Sequence, residues 1–330
     1  MKRALKRPPL TSLAARRPIV QNRDMDHVTP EKIEAAATTI AGHVRKTPTF
    51  TLDGPHPIAL KLEHLQRTGS FKARGAFNTL MTIPVSPAGV TAASGGNHGV
   101  AVATAAAALG HTATIFVPEI VNPAKLAAIK ATGATVHITG ARYSDAYDAL
   151  RQHVDQTGAA VIEAYDHPKT IAGQGTVALE WERQSDALDT VFIAVGGGGL
   201  IAGVAAWFAG RTRVIGVEPE TSCCLAAALD AGEPVDVDVS GVAADSLGAR
   251  RIGAAPFAIA QQHVERVIRV PDEAIQAAQK DLWHRARIVA EPGGAAAYAA
   301  LLSGRYQPAE AERVGVLICG ANTQTAPWTL

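Results

Sequence analysis

The chain has 330 residues, a length that suits one large domain or two domains of ordinary size. Its 31 basic and 30 acidic residues leave a formal net charge of +1, and no basic stripe follows the first two dozen positions, which argues against nucleic-acid binding. Although 47% of the residues are hydrophobic, no uninterrupted apolar run of about twenty residues could span a bilayer. The three cysteines, Cys223, Cys224 and Cys319, form no even disulfide framework. We therefore expect a cytoplasmic protein with neither nucleic-acid nor membrane partners.

The first 27 residues are rich in basic side chains but lack the apolar core of a secretory signal. We expect residues 1–27 to be a disordered tail, with Met25 as an alternative to Met1 for the natural start.

A first helix is predicted from Pro30, with apolar residues at helical spacing as far as Val44 and a stop at Pro48. From Ser94 onward, short β-rich runs alternate with longer alanine-rich stretches, which is typical of β-α-β units. The first series comprises Thr114–Val117, Asn122–Thr132, Thr135–Ile138 and Ser144–Thr157. The second comprises Val191–Val195, a helix after Gly199, Val214–Val217, a helix near Leu225–Ala231, and Val314–Cys319. Two series predict an α/β fold with two parallel sheets covered by helices and a ligand cleft at the strand ends.

Four consecutive glycines, Gly196–Gly199, followed by Leu200, join a predicted strand to a predicted helix. Backbone N–H groups at such a helix start can close on a phosphate. The spacing of Gly197, Gly199 and Ala202, with Glu218 further on, also satisfies the dinucleotide fingerprint, so an NAD enzyme stays open on these residues alone. A merely tight turn would need only one or two glycines.

Lys72 lies in the run Gly69–Ala76, between an aromatic residue and small residues. A desolvated lysine has a lowered pKa and serves as a Schiff-base nucleophile or general base. Taken alone, a lysine is more often a solvated surface charge.

The run Ser94–Gly99 precedes an alanine-rich helix predicted from Val100. Ser94 and the nearby N–H groups suit a carboxylate, and Asn97 can donate to a phenolate-like oxygen, although helix capping explains both side chains equally well. Cys319 ends a predicted strand, where ligands bind, but a lone buried cysteine is more often core filler. Adjacent Cys223 and Cys224 lack zinc-site spacing, and no metal site is predicted.

In this order, the motifs resemble those of the fold-type II pyridoxal phosphate enzymes, specifically the serine/threonine dehydratase (threonine ammonia-lyase) and serine racemase family. The similarity runs from about Pro48 to Asn322. The motifs that carry it are Lys61–Glu63, Gln66, Thr68–Lys72, Arg74–Ala76, Ser94–His98, Ile171–Thr176, Gly196–Leu200, Val217–Pro219, Glu291–Pro292 and Cys319–Asn322.

The resemblance implies a tryptophan synthase β-like fold of two three-layer α/β/α domains, with pyridoxal 5′-phosphate in the cleft between them. Residues 28–88 and 167–330 would form a large cofactor-binding domain and residues 89–166 a small mobile domain, in a homodimer. The NAD interpretation is set aside because a nicotinamide enzyme has no need of the lysine motif.

By the same resemblance, Lys72 anchors the cofactor as a Schiff base and acts as the catalytic base, and Phe71 also binds the cofactor. Asn97 contacts the cofactor's ring oxygen, Gly196, Gly197, Gly198, Gly199 and Leu200 hold its phosphate, and Cys319 faces its ring nitrogen. The substrate carboxylate would bind at Ser94, Gly96, Asn97 and His98.

The implied activity is dehydration of L-threonine or L-serine to a 2-oxo acid and ammonia. Family racemases carry a serine at the position of Gly95, so racemisation should be minor here. Metal-binding members carry a carboxylate at the position of Cys224, so we expect no metal. Because the chain ends soon after Asn322, we expect no C-terminal regulatory domain and a stand-alone role. Another β-elimination, a β-replacement, racemisation, or a non-catalytic ligand-binding homologue are the alternatives.

Overall fold

The computed structural model of the chain describes residues 28–324, 326 and 329. The predicted tail at residues 1–27, and with it the question of Met1 or Met25, lies outside the described residues.

The described residues form helices and strands that alternate along most of the chain. The helices are α1 (Pro30–Thr39), α2 (Lys72–Thr82), α3 (Asn97–Ala108), α4 (Pro123–Ala131), α5 (Tyr143–Thr157), α6 (Pro168–Glu182), α7 (Gly199–Phe208), α8 (Cys224–Ala231), α9 (Ala244–Leu247), α10 (Ala254–His263), α11 (Asp272–Ala286) and α12 (Pro292–Leu302). The strands are β1 (Thr49–Leu52), β2 (Ile58–Lys61), β3 (Val90–Ala93), β4 (Ala113–Val117), β5 (Thr135–Ile138), β6 (Ala160–Val161), β7 (Thr190–Ala194), β8 (Arg213–Pro219), β9 (Arg266–Val270) and β10 (Val314–Leu317).

The strands form two sheets, as predicted. A six-stranded sheet has the order β1-β2-β10-β7-β8-β9, and a four-stranded sheet has the order β5-β4-β3-β6. The four-stranded sheet is parallel throughout. In the larger sheet the prediction needs a correction, because β1 pairs antiparallel with β2. The short connection between these two strands leaves no length for the crossover that parallel pairing requires.

Two predicted helix bounds are also wrong. The helix after the Ser94 loop begins at Asn97 rather than Val100, with Gly96 as its N-cap, so neither Ser94 nor Asn97 caps it with a side chain. The first helix ends at Thr39 rather than continuing toward Pro48. Ile40 is nevertheless buried, so the apolar spacing there reflects packing in a turn rather than helix. The helix at Pro123 is as predicted, with the Asn122 side chain accepting from the N–H groups of residues 124 and 125.

The four-stranded sheet has helices on both of its faces. Ile115 and Val117 of β4 pack in one buried cluster with residues of α3, whereas Phe116 packs in another with Leu150 of α5. Neighbouring strand residues point to opposite faces, so the sheet is the middle of three layers. Likewise α7 and α12 both contact β7 and β8 of the larger sheet.

Helix α2 lies where the two sheet systems meet. It packs against α3, which covers the four-stranded sheet, and against α6, which packs on α7 beside the six-stranded sheet. Its apolar side chains belong to the same buried cluster as the four-stranded sheet. Lys72, the first residue of α2, therefore lies between the two sheets. No helix among the described residues is long and apolar enough to cross a membrane.

Candidate active site

Lys72 lies in the first turn of α2, between the two sheets, where the sequence predicts the cofactor cleft. Its Nζ donates to the carbonyl oxygen of Ala164 at 2.8 Å and lies 5.2 Å from the centroid of the Phe71 ring. Burial lowers the pKa of Lys72 to about 8, against the opposing influence of nearby Cys319. An appreciable fraction of this amine is consequently unprotonated near neutral pH, as a nucleophile or a proton acceptor must be.

The backbone holds the Lys72 turn against the end of β10. The N–H of Phe71 donates to the carbonyl of Cys319 at 3.1 Å, and Ser70 forms a bridge with Gly320. Cys319 is buried, and its Sγ lies 3.4 Å from the carbonyl of Gly293. Burial, together with the carboxylate of Glu291, raises the pKa of the Cys319 thiol above its usual range, so it stays a neutral thiol.

Asn97 is buried at the start of α3 and uses both ends of its amide. Its Nδ2 donates to Glu291 Oε1 at 2.5 Å, and its Oδ1 accepts from Asn322 Nδ2 at 2.9 Å. Glu291 immediately precedes Pro292 at the start of α12. Asn97 therefore joins the four-stranded half of the chain to the end of β10 and to α12.

The other residues predicted to bind a carboxylate surround the first turn of α3. Ser94 Oγ accepts from the N–H of Gly96 at 3.2 Å. The side chain of His98 is committed elsewhere, because its Nε2 bonds to the carbonyl of Ile162 at 2.8 Å. Burial, with the charge of Lys72, lowers the pKa of His98 to about 3, so the ring is neutral. His98 would therefore contribute to anion binding through its backbone N–H at the helix start, and not through its ring.

The glycine run connects β7 to α7 with Gly198 as N-cap, and no side chain caps this helix. The unpaired N–H groups of a first helical turn are the donors that a phosphate needs. The ring of Tyr165 lies against this loop, since a Cβ atom on Gly197 would approach it to 2.3 Å. Ala164 accepts from Lys72 and the next residue, Tyr165, lies against the glycine loop, so the segment at 164–165 connects the amine to this loop.

Replacing Gly198 with alanine should weaken pyridoxal phosphate binding at least about tenfold. Gly198 has a φ of 92°, and an added Cβ would lie 2.4 Å from Ile252 Cδ1 and 2.7 Å from Pro256 Cβ, so the loop must move. The matched control is Gly210→Ala, because Gly210 has a φ of 84° but nothing within 4 Å of its added Cβ. Absorbance titration with the cofactor measures both dissociation constants, and equal effects would contradict the prediction.

Glu218, the residue that fitted a dinucleotide fingerprint, serves a different purpose. Its two carboxylate oxygens accept from the N–H groups of Leu225 and Ala226 at 2.8 and 2.9 Å, so it caps α8. Burial raises the pKa of Glu218 to about 7 despite these hydrogen bonds.

Cys224 contacts the glycine loop, because its Sγ lies 3.3 Å from the carbonyl oxygen of Gly196. Within the described residues, no group of three or more His, Cys, Asp and Glu side chains could hold a metal ion.

A buried ionic network lies behind the Lys72 turn. Arg74 donates to both carboxylate oxygens of Glu63, at 2.8 and 2.7 Å, and to Glu180 Oε2 at 3.1 Å. Lys61 Nζ also reaches Glu180, at 2.6 Å. Burial alone would raise the pKa of Glu63, but the Arg74 guanidinium lowers it below its usual range. The network ties α2 to β2 and α6, and so fixes the turn from which Lys72 projects.

The sequence analysis did not identify residues that contribute to the site through a backbone carbonyl, or residues that act on the site through a neighbouring side chain. Ala164 and Tyr165 carried no motif, because a carbonyl acceptor or a ring packed on a loop leaves no residue signature. Lys125 had one signal, since a cation in the first turn of a helix opposes the helix dipole and is held there by something else. Glu291 belongs to a motif that by itself gave it no role.

These residues match the chemical requirements of pyridoxal phosphate. An amine with a lowered pKa, a neutral buried thiol near enough to influence it, and a glycine loop that opens a helix and has no room for a Cβ are linked through neighbouring residues. Lys72 would hold the aldehyde carbon, the loop Gly196–Leu200 the phosphate, and Cys319 the ring nitrogen.

Fold and site together define a pyridoxal phosphate enzyme. The family described as pyridoxal-phosphate dependent enzyme matches residues 40–320, and the chain belongs to this family. The predicted cofactor and fold class are thereby confirmed.

Two curated proteins are similar to this chain over most of its length. The biosynthetic L-threonine dehydratase of Escherichia coli is 40% identical over 273 residues, covering 80% of this chain and 53% of that protein. The chain spans about half the length of the first curated relatives that it matches. The phenylserine dehydratase of Ralstonia pickettii is 36% identical over 86% of this chain and 90% of its own.

Solved structures agree with the fold. A threonine deaminase from T.th. superposes with a TM-score of 0.84 at 34% identity, covering 91% of this chain and all of that one. Maize serine racemase superposes with a TM-score of 0.86 at 30% identity, covering 90% of this chain and 94% of that one.

Proposed function

We propose that this protein is a pyridoxal phosphate-dependent dehydratase of L-threonine or L-serine, which releases a 2-oxo acid and ammonia. The observation that carries the proposal is that the chain has Lys72, an amine whose pKa is lowered to about 8, but carries Gly95 where family racemases carry a serine. Gly95 has no side chain that could act as a second acid or base, and a Cβ there would lie 2.5 Å from Val121 Cγ2, so a larger residue would require Val121 to move. A single base at the α-carbon favours elimination over racemisation.

The chain's own residues would divide the work as follows. The N–H groups at the start of α3, with Ser94, receive the substrate carboxylate, and Asn97 bounds the same pocket. Lys72 takes the proton from the α-carbon, and the electron pair so freed expels the β-hydroxyl, which takes up a proton and leaves as water. Another water then hydrolyses the released unsaturated amine to the 2-oxo acid and ammonia. Bound pyridoxal phosphate supplies the electron withdrawal that acidifies this carbon. Cys319, as a neutral thiol, leaves the ring nitrogen without the charge that a carboxylate there would stabilise.

Relatives support the same reaction class. The threonine dehydratase of Escherichia coli and the phenylserine dehydratase of Ralstonia pickettii share 40% and 36% identity with this chain. The similarity to maize serine racemase makes racemisation the second candidate.

One assay separates these candidates. The cofactor-loaded full chain is incubated with L-threonine and with L-serine, 2-oxo acid and ammonia are followed, and D-serine is measured by chiral chromatography. We expect 2-oxo acid in excess of D-serine. Absence of 2-oxo acid from both substrates would reject the dehydratase, and an excess of D-serine would establish the racemase.

We also propose the domain division and assembly expected from the sequence. Residues 28–88 and 167–330 would form the large domain, residues 89–166 a small domain that moves against it, and two chains a cytoplasmic homodimer. The grouping of β3, β4, β5 and β6 in one sheet supports this division. Sedimentation analysis of the full chain tests the dimer.

A further inference from the structure

Lys125 is a buried cation that joins the two sheet systems. It lies in the first turn of α4, which connects two strands of the four-stranded sheet. Its Nζ contacts Asp245 Oδ2 at 2.5 Å and Glu291 Oε2 at 3.5 Å. Asp245 is in α9 and Glu291 precedes α12. Helix α12 packs against the six-stranded sheet, and α9 packs against α12. This ion pair therefore exists only while α4 lies against α9 and α12.

The position of Lys125 is unfavourable without these carboxylates. A cation in the first turn of a helix opposes the positive end of the helix dipole. The side chain of Lys125 is also only 2% exposed, and a buried charge is costly unless it is paired. Its two anionic partners thus account for the burial of an ammonium group close to the Lys72 cleft.

Glu291 connects Lys125 to Asn97, because one carboxylate oxygen contacts Lys125 and the other accepts from Asn97. The ion pair with Lys125 favours the ionised form of Glu291, and an ionised carboxylate only accepts hydrogen bonds, so it suits the NH2 end of the Asn97 amide that faces it. The opposite end, Oδ1, accepts from Asn322. These two contacts determine the orientation of the amide. Nδ2 keeps a second hydrogen that neither contact uses.

The contact is closely packed and depends on charge. A Cβ on Gly320 would lie 2.1 Å from Glu291 Oε1 and 3.4 Å from Asn97 Nδ2, so only glycine fits beside it. Burial raises the pKa of Glu291, and Lys125 opposes that rise. Without Lys125 the carboxyl group would more readily take up a proton. A protonated carboxyl group can donate as well as accept, so it could face either end of the Asn97 amide.

We propose that Glu291, with Lys125 as its counter-ion, is a positioning residue that holds the Asn97 amide with its unused N–H hydrogen directed at the cofactor. The proposal rests on the proposed cofactor contact of Asn97. It adds that this contact is assembled across the two sheet systems and is complete only when α4 is docked.

The test uses the cofactor-loaded full chain with Glu291→Gln, Lys125→Met and the double variant. Lys130→Ala is the matched control, an exposed lysine on the same helix. The readouts are the visible absorbance maximum of the bound cofactor, the cofactor dissociation constant, kcat and KM, and the melting temperature. Both single variants should shift the absorbance maximum and lower kcat about tenfold, with KM changed less than about threefold. The double variant should be little worse than the worse single variant, because both act on one contact.

Three results would overturn the proposal: an unshifted absorbance maximum in both single variants, independent effects that multiply in the double variant, or losses that follow only a lower melting temperature. Glu291→Gln preserves shape and still decides the matter if Lys125→Met does not fold. If the unmodified protein forms no 2-oxo acid, the proposed activity fails, but the absorbance and cofactor-binding measurements still test the role of Glu291.

Discussion

Replacement of Lys72 by alanine is expected to lower kcat for 2-oxo acid release by at least about 10³-fold, within the range that a positioned proton-transfer group contributes. The amine is the group in this cleft whose pKa is lowered to about 8, and its Nζ is held by the carbonyl of Ala164. The variant loses the covalent attachment of the cofactor and the base together. Borohydride reduction followed by peptide mass analysis should find the cofactor on the peptide that contains Lys72 in the unmodified protein and on none in the variant.

The control for this prediction is Lys130→Ala, which removes an exposed lysine that has no assigned role in the site and should leave kcat unchanged. A Lys72→Ala protein that keeps more than about a tenth of the original kcat would assign the chemistry to another group. A reduced cofactor found on another lysine would do the same.

Replacement of Arg74 by methionine should lower the free energy of unfolding by about 3–5 kcal/mol, because it leaves buried carboxylates without their partner. Glu63 is completely buried, and Arg74 donates to both of its oxygens as well as to Glu180. Urea denaturation of the cofactor-free protein measures the change. The loss should be partly recovered in the double variant Arg74→Met with Glu63→Gln, which removes the uncompensated charge.

An exposed ion pair provides the comparison. Arg251 Nε contacts Asp236 Oδ1 at 2.7 Å, but the two side chains are 54% and 60% exposed. Arg251→Met should therefore change the free energy of unfolding far less than Arg74→Met. Similar losses for the two variants would show that burial of the Arg74 network contributes little.

Much of the architecture was predictable because its determinants are local. The strand Thr135–Ile138 and the helix at Pro123, capped by Asn122, follow from β-propensity, capping and proline chemistry within a few residues. The glycine run after β7 was likewise recognisable, because four residues without side chains serve few purposes other than close backbone approach.

Errors arose where the same local pattern fits two structures. The apolar spacing through Val44 predicted more helix than forms, because Ile40 is buried in a turn and burial gives the same signal. The start of α3 was placed too late, since a glycine N-cap provides no capping side chain to recognise. The antiparallel pairing of β1 with β2 was missed because neither of these short strands was predicted.

The order of motifs along the chain was enough, by resemblance, to indicate the cofactor, the fold class and the lysine that would carry the chemistry. Only the tertiary structure decided what surrounds that lysine. The carbonyl of Ala164, the ring of Tyr165, and the line of contacts from Lys125 through Glu291 to Asn97 join residues up to 194 positions apart in the chain. Local propensities act over a few residues, whereas such contacts exist only after two sheets have packed on either side of α2.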